Sequence, residues 1–273
     1  MNFPLVPPVH RLIKLEECQH VFKELSKIRL VATDMDGTLT KNGKFTSVLL
    51  QAWEKLACAG IQVMIVTGRS AGWVNGISSL MDIGGAIAEN GGLFYPPGNL
   101  DPITLTPISD FTHHRQQLAA AFAQLLNSYP TLCESHDNRF RLTDWTFDVA
   151  GLTLPELQHI DYLCQQMGWG FTYSNVQCHI KPQQQDKATG LKQVINQYFP
   201  SYSPAQIMTV GDSPNDESLF NPDEFPLSVG VANILKYAEQ LQHQPLYITE
   251  AAEGEGFCEL SEYILTSLSH PKS

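Results

Sequence analysis

An α/β fold built on a parallel sheet, interrupted by a smaller α+β insert, is what the sequence predicts, on three observations. Short apolar runs alternate with stretches of helical periodicity in both the N-terminal and C-terminal thirds. Acidic, glycine-rich turns stand directly after those apolar runs. The texture between residues 99 and 182 differs from the rest, with two strand-like runs separated by a helix.

Each element follows from local pattern. Leu15 to Leu25 has the spacing of an amphipathic helix, and Ile28 to Ala32 reads as a buried strand running into Asp34 and Asp36. Val48, Leu49, Ala52, Trp53 and Leu56 recur at helical spacing, and Gly60 is a natural stop. Ile61 to Val66 is a second apolar strand, ending at Thr67-Gly68-Arg69-Ser70. A glycine turn at Glu89 to Gly92 lies between two apolar stretches, and Pro96-Pro97-Gly98 marks a boundary. Within the insert, helices are expected at His114 to Ser128 and Pro155 to Met167, and strands at Phe140 to Val149 and Gly170 to Ile180. The α/β texture then returns with a helix from Lys187 to Tyr198 and a strand from Ile207 to Val210 leading into Gly211-Asp212. Strands at Leu227 to Val231 and Leu246 to Ile248 follow, with helices near Asn233 to Leu241 and Phe257 to Leu268.

Composition narrows the function. With 273 residues, 43% of them hydrophobic, the chain can bury a sizeable core, and 17 Lys+Arg against 28 Asp+Glu give a net charge of −11. That balance argues against nucleic acid or an anionic membrane as partner. No apolar run is long enough to span a bilayer, and the stretch from Met1 to Lys14, with prolines at 4, 7 and 8, lacks a signal-peptide core. The six cysteines are scattered without a CxxC pair, which fits a reducing, cytoplasmic setting. His113-His114 and Cys178-His179 have no second pair at zinc-ligand spacing.

Asp34 and Asp36 stand two apart at a strand end, so both carboxylates can face one site. Acids crowded together need a counter-charge, and a hard divalent cation with oxygen ligands supplies one; Asp212, at another strand end, is a plausible third ligand. Taken alone, the pair is equally an acidic turn. A calcium loop fails on spacing, because the sixth and twelfth positions counted from Asp34 hold Leu39 and Phe45 rather than Gly and Glu.

Four segments in order, Asp34-Met35-Asp36-Gly37-Thr38, Thr67-Gly68-Arg69, Lys187 and Gly211-Asp212-Ser213-Pro214-Asn215-Asp216, resemble the signatures of the haloacid-dehalogenase superfamily of aspartate-nucleophile phosphatases. The likeness spans roughly residues 28–268, and the insert resembles the α+β cap of the Cof-like branch. Pro214 departs from the small residue common in relatives. The resemblance implies a Rossmann-like core at 28–95 and 183–273, a cap at 96–182 and an N-terminal extension at 1–27. It implies Asp34 as nucleophile, Asp36 as general acid and base, and Mg2+ on Asp34, the backbone carbonyl of Asp36 and Asp212, with Asp216 supporting from behind. Thr67, Gly68 and Lys187 would hold phosphate, and Arg69, Asn90 and Asn215 are candidates for substrate contact.

The function so implied is a magnesium-dependent phosphatase for a small phosphorylated metabolite, with a sugar phosphate foremost. A phosphosugar mutase and a non-catalytic sugar-phosphate-binding regulator are the alternatives. Arg139, Arg141, His179 and Lys181 in the insert read first as ordinary polar residues of a half-exposed strand. Neither the particular substrate nor the oligomeric state is legible.

Overall fold

The computed structural model describes residues 12–15, 21–99 and 101–269. A nine-stranded sheet forms its base, in spatial order β1 (Ile13–Lys14), β12 (Tyr247–Ile248), β11 (Ser228–Gly230), β10 (Ile207–Gly211), β2 (Leu30–Thr33), β3 (Gln62–Val66), β4 (Ala86–Ala88), β5 (Leu93–Tyr95) and β6 (Ile103–Thr104). Every pairing from β1 to β4 is parallel, and β5 and β6 add antiparallel at one edge. The central strands are fully buried because helices cover both faces, which is why they read as unbroken apolar runs.

Their side chains nevertheless alternate. Val31, Val63, Ile65, Met208 and Val210 face a core shared with α2 (Ser47–Cys58), α3 (Ala71–Ser78) and α7 (Glu253–Ser269). Leu30, Ala32, Met64, Val66 and Ile207 face the other core, under α6 (Lys187–Tyr198). A one-residue slip of β2 would exchange the two sets. Chain order reverses beside β2, which has the early β3 on one side and the late β10 on the other, so the crevice at their carboxyl ends is a topological switch point.

A second sheet, of three antiparallel strands in the order β7 (Trp145–Asp148), β9 (Gln177–Lys181), β8 (Gly170–Tyr173), packs one face on α4 (Phe111–Ser128) and α5 (Leu154–Gln166). Cys178 and Ile180 of β9 point into that core, while His179 and Lys181 are buried on the opposite face.

The expected elements are present with four differences. The run Phe140 to Val149 is not one strand: a 3-10 helix at His136–Phe140 precedes β7, and Arg141, Thr143 and Asp144 are buried polar residues between them. Gly170 to Ile180 folds back as a hairpin, because Ser174 Oγ accepts from the Val176 and Gln177 amides and turns the chain. The expected helix Asn233 to Leu241 is two 3-10 segments, Ala232–Lys236 and Ala238–Gln240; Asn233 spends its side chain on Gly37, Asp212 and the Glu253 amide instead. Of the Leu15 to Leu25 helix, α1 covers Val21–Leu25, and residues 16–20 lie outside the described residues. Beyond the turn at Pro96, β6 still belongs to the large sheet. No helix among the described residues is long and apolar enough to cross a membrane.

Candidate active site

β2 and β10 run parallel with Thr33 level with Val210, so the residues that follow, Asp34 and Asp212, emerge side by side. The Asp34 amide donates to the Val210 carbonyl at 2.8 Å and continues the ladder to the edge of the crevice. Gly37 turns the chain back at φ +87°; a Cβ there would lie 2.5 Å from Asp212 Oδ2, so both backbone angle and space call for glycine. Thr38 Oγ1 donates to Asp212 Oδ1 at 3.0 Å, and Asn233 Nδ2 to Asp212 Oδ2 at 2.7 Å.

Lys187 is the first residue of α6, whose start is fixed by Asp186 accepting from the Thr189 amide. Its ammonium is fully buried, 2.5 Å from Asp34 Oδ1 and 2.6 Å from Asp216 Oδ1. The other Asp216 oxygen accepts from the Asp212 and Ser213 amides, as the reciprocal acid of a cap on the 3-10 helix Pro214–Phe220. One carboxylate oxygen each from Asp34, Asp212 and Asp216 fall within 4.8 Å of one another.

Three buried carboxylates thus share a single ammonium. Burial, reinforced by Asp216 and Asp36 and opposed by Lys187, pushes the Asp34 carboxyl up to about 7. Burial, then Asp34 and Asp216, raises Asp212 well above the usual carboxylate range. For Lys187 burial works against the charge, but Asp216 and Asp34 outweigh it and the pKa is raised. This unbalanced negative charge, on oxygen donors alone, suits a hard divalent cation. Because Asp216 is already committed to three donors, an ion would draw chiefly on Asp34 and Asp212 and complete its shell from water and substrate oxygens. That is the habit of magnesium more than of calcium.

Asp36 lies outside the triad. Arg69 holds both its oxygens, Nε at 2.7 Å and Nη2 at 2.6 Å, and its guanidinium also lies 5.2 Å from the Trp73 ring centre. Thr67 Oγ1 accepts from the Arg69 amide. Asn90 sits at φ +52° with its Oδ1 accepting from Asn215 Nδ2, while its own amide nitrogen is buried without a partner. Asp34, Asp36, Thr67, Gly68, Arg69 and Asn215 line one small cavity, whereas Lys187, Asp212 and Asp216 stand behind it.

The roof of that cavity is the three-stranded unit, through Ser174, Val176, Gln177 and His179. About 20 Å3 is enclosed, room for roughly one water. His179 Nδ1 lies 2.8 Å from Asp144 Oδ2. Burial holds the imidazole below its ordinary pKa despite Asp144, so the contact is a hydrogen bond from a neutral ring rather than an ion pair. Arg141, fully buried, pairs with Asp144 and Asp137 and donates to the Gly68 carbonyl, tying the insert to the loop after β3.

Glu89 is a tie of the same kind that sequence reasoning missed. At φ +52° its buried carboxylate accepts from the amides of Ala71, Leu142 and Thr143 and from Thr143 Oγ1. A buried acid directly before a glycine turn was the available signal. Lys181 donates to the Gln185 carbonyl, and Arg139 stacks on Phe140 at 4.7 Å; neither lines the cavity.

A family model for haloacid dehalogenase-like hydrolases matches residues 31–133 and 156–255. A phosphoglycolate phosphatase of Staphylothermus marinus is 28% identical over 249 residues, covering 87% of this chain and 98% of its own. One from Methanobrevibacter smithii is 26% identical, covering 86% and 97%. Among solved structures, a Thermoplasma acidophilum protein superposes with a TM-score of 0.69 at 19% identity, over 87% of this chain and 98% of its own. The sucrose-phosphatase of Synechocystis does so at 0.61 and 18%, over 86% and 97%. The two superpositions bear on the fold, and the family match covers most of the chain. The chain belongs to the haloacid dehalogenase-like hydrolases, and it is a phosphoric monoester hydrolase.

Proposed function

We propose that this hydrolase is a magnesium-dependent phosphatase of small phosphorylated metabolites, a sugar phosphate foremost, working through a phosphoaspartate on Asp34. The observation that carries the reading is the meeting of Asp34, Asp212, Asp216 and the Lys187 ammonium, from three separate chain segments, at the switch point of the sheet.

In this reading Asp34 attacks phosphorus, the bond to the leaving oxygen breaks, and Asp36 gives that oxygen a proton. Asp36 then takes a proton from a water that attacks the phosphoaspartate, releasing orthophosphate and restoring Asp34. Lys187 balances charge on Asp34, while Thr67 and the Gly68 amide donate to phosphoryl oxygens. Arg69, Asn90 and Asn215 contact substrate or hold the loops that do; the unpartnered Asn90 amide supports that role. Asp34, Asp212 and the backbone carbonyl of Asp36 would hold magnesium, with Asp216 orienting its surroundings; the ion would supply charge neutralisation to the transferring phosphoryl group.

We further read 28–95 and 183–273 as the catalytic core and 96–182 as a cap, with β6 as the part of the cap segment that stays on the core sheet. A cytoplasmic setting belongs to the same reading, supported by free thiols at Cys58, Cys133, Cys164, Cys178 and Cys258.

Phosphate release from a metabolite panel, with and without magnesium, tests the proposal. Wild-type turnover is expected to vanish with chelator and in Asp34→Asn. Equal turnover by the wild type and Asp34→Asn removes the nucleophile assignment.

A further inference from the structure

Between α3 and the 3-10 helix at 136–140 runs an open groove of about 530 Å3. It shares Arg69 and Gln177 with the cavity over Asp34, so the two spaces are continuous. We infer that this groove seats the leaving group of the substrate and selects an uncharged, hydroxyl-bearing ring. The inference rests on the phosphatase reading and adds a second subsite to it.

Space comes first. The cavity over Asp34 has room for about one water, so whatever is esterified to the phosphate lies outside it. The groove is the adjoining space, and its volume suits a small metabolite.

Its walls come next. Trp73 and Phe140 are 37% and 50% exposed, large apolar faces that no neighbour covers completely. Both are held in place. The Arg69 guanidinium packs on Trp73, and Phe140 presses against α3 at Gly72, where an added Cβ would lie 3.0 Å from the Phe140 Cβ. Fixed aromatic faces beside the acceptor oxygens of Asp137, Asp148 and Gln177 match a ring with apolar C–H faces and a rim of hydroxyl donors.

Charge decides against an acidic leaving group. The Arg69 guanidinium is committed to both oxygens of Asp36, and Arg141 beneath the wall is committed to Asp137 and Asp144. Arg139 is stacked on the Phe140 ring and is not part of the wall. Asp148 adds negative charge at the groove's edge. A carboxylate on the leaving group, as in phosphoglycolate, would meet acids without a free cation among the lining residues.

The test uses the full chain in two arms. In the first, kcat/KM is measured for a hexose monophosphate, phosphoglycolate and methyl phosphate. The hexose ester is expected to exceed phosphoglycolate about tenfold or more, and Trp73→Ala and Phe140→Ala each to lower the hexose-to-methyl ratio by about three- to tenfold, through KM. Asp148→Asn is expected to narrow the discrimination against phosphoglycolate. In the second arm, calorimetry measures binding of the hexose monophosphate to Asp34→Asn with and without Trp73→Ala. Trp73-dependent binding without wild-type turnover would uphold the groove and remove the phosphatase reading. Phosphoglycolate as the preferred ester, or binding indifferent to both Trp73 and Phe140, would overturn the groove whatever the turnover.

Discussion

Arg69 grips both oxygens of Asp36, in a fork with contacts of 2.7 and 2.6 Å. A carboxylate so held has neither oxygen available to a leaving group, so the fork must open before Asp36 can act on one. Asp36→Asn is therefore expected to slow alkyl phosphate hydrolysis by about 10²- to 10⁴-fold, the usual worth of a positioned acid. Aryl phosphates, whose leaving groups need no proton, should lose far less in the same phosphate-release assay.

Lys187 lies between Asp34 and Asp216 with no solvent contact. Lys187→Met leaves two buried carboxylates without their ammonium, and the expected cost is about 3–5 kcal/mol. Urea unfolding followed by circular dichroism measures it. Lys41→Met, which removes the exposed partner of Glu255, serves as the contrast and should leave the midpoint nearly unchanged.

Gly91 adopts φ +97°, and a Cβ there would stand 2.1 Å from the Asp186 carbonyl, at the very start of α6. Gly91→Ala is expected to cost at least about 2 kcal/mol and to lower turnover, since the displaced helix carries Lys187. Gly76, inside α3, has nothing within 4 Å of its would-be Cβ. Gly76→Ala should stabilise by about 0.5–1 kcal/mol, and paired thermal melts of the two variants check both signs.

His179 titrates below its ordinary value of 6.5 because it is buried. On acidification the unfolded chain takes up this proton first, so stability present above pH 6.5 is lost progressively as pH falls toward the lower folded pKa. His179→Gln removes that loss. Chemical unfolding at pH 7.5 and at pH 5.5 should show a smaller difference in the variant than in the wild type, and an equal difference would refute the assignment of His179 as a buried neutral imidazole.

Much of the core was legible because its signals are local. Lys187 to Tyr198 has helix bounds visible in its own periodicity, and the apolar runs at Ile28 and Ile207 point to strands whose ends carry Asp34 and Asp212. The upper unit was harder to read because long-range polar contacts shape it. Arg141, Asp144 and His179 are buried by pairing with one another and with the Gly68 carbonyl, an arrangement invisible to a hydropathy pattern. The same holds for Glu89, whose partners stand at Ala71, Leu142 and Thr143. Asn233 reads as helical until its side-chain contacts with Gly37 and Asp212 are known. The Arg69 to Asp36 fork was likewise hidden, since neither residue indicates a partner across the crevice.

The space enclosed over Asp34, barely that of one solvent molecule, also bears on timing. No ester can pass through it while the roof formed by Ser174, Val176 and His179 stays down, and no orthophosphate can leave. Each catalytic cycle thus contains one breathing motion to admit and another to discharge. Where that motion is slower than bond cleavage, kcat becomes a clock set by the roof, the same for good and poor leaving groups and sensitive to solvent viscosity.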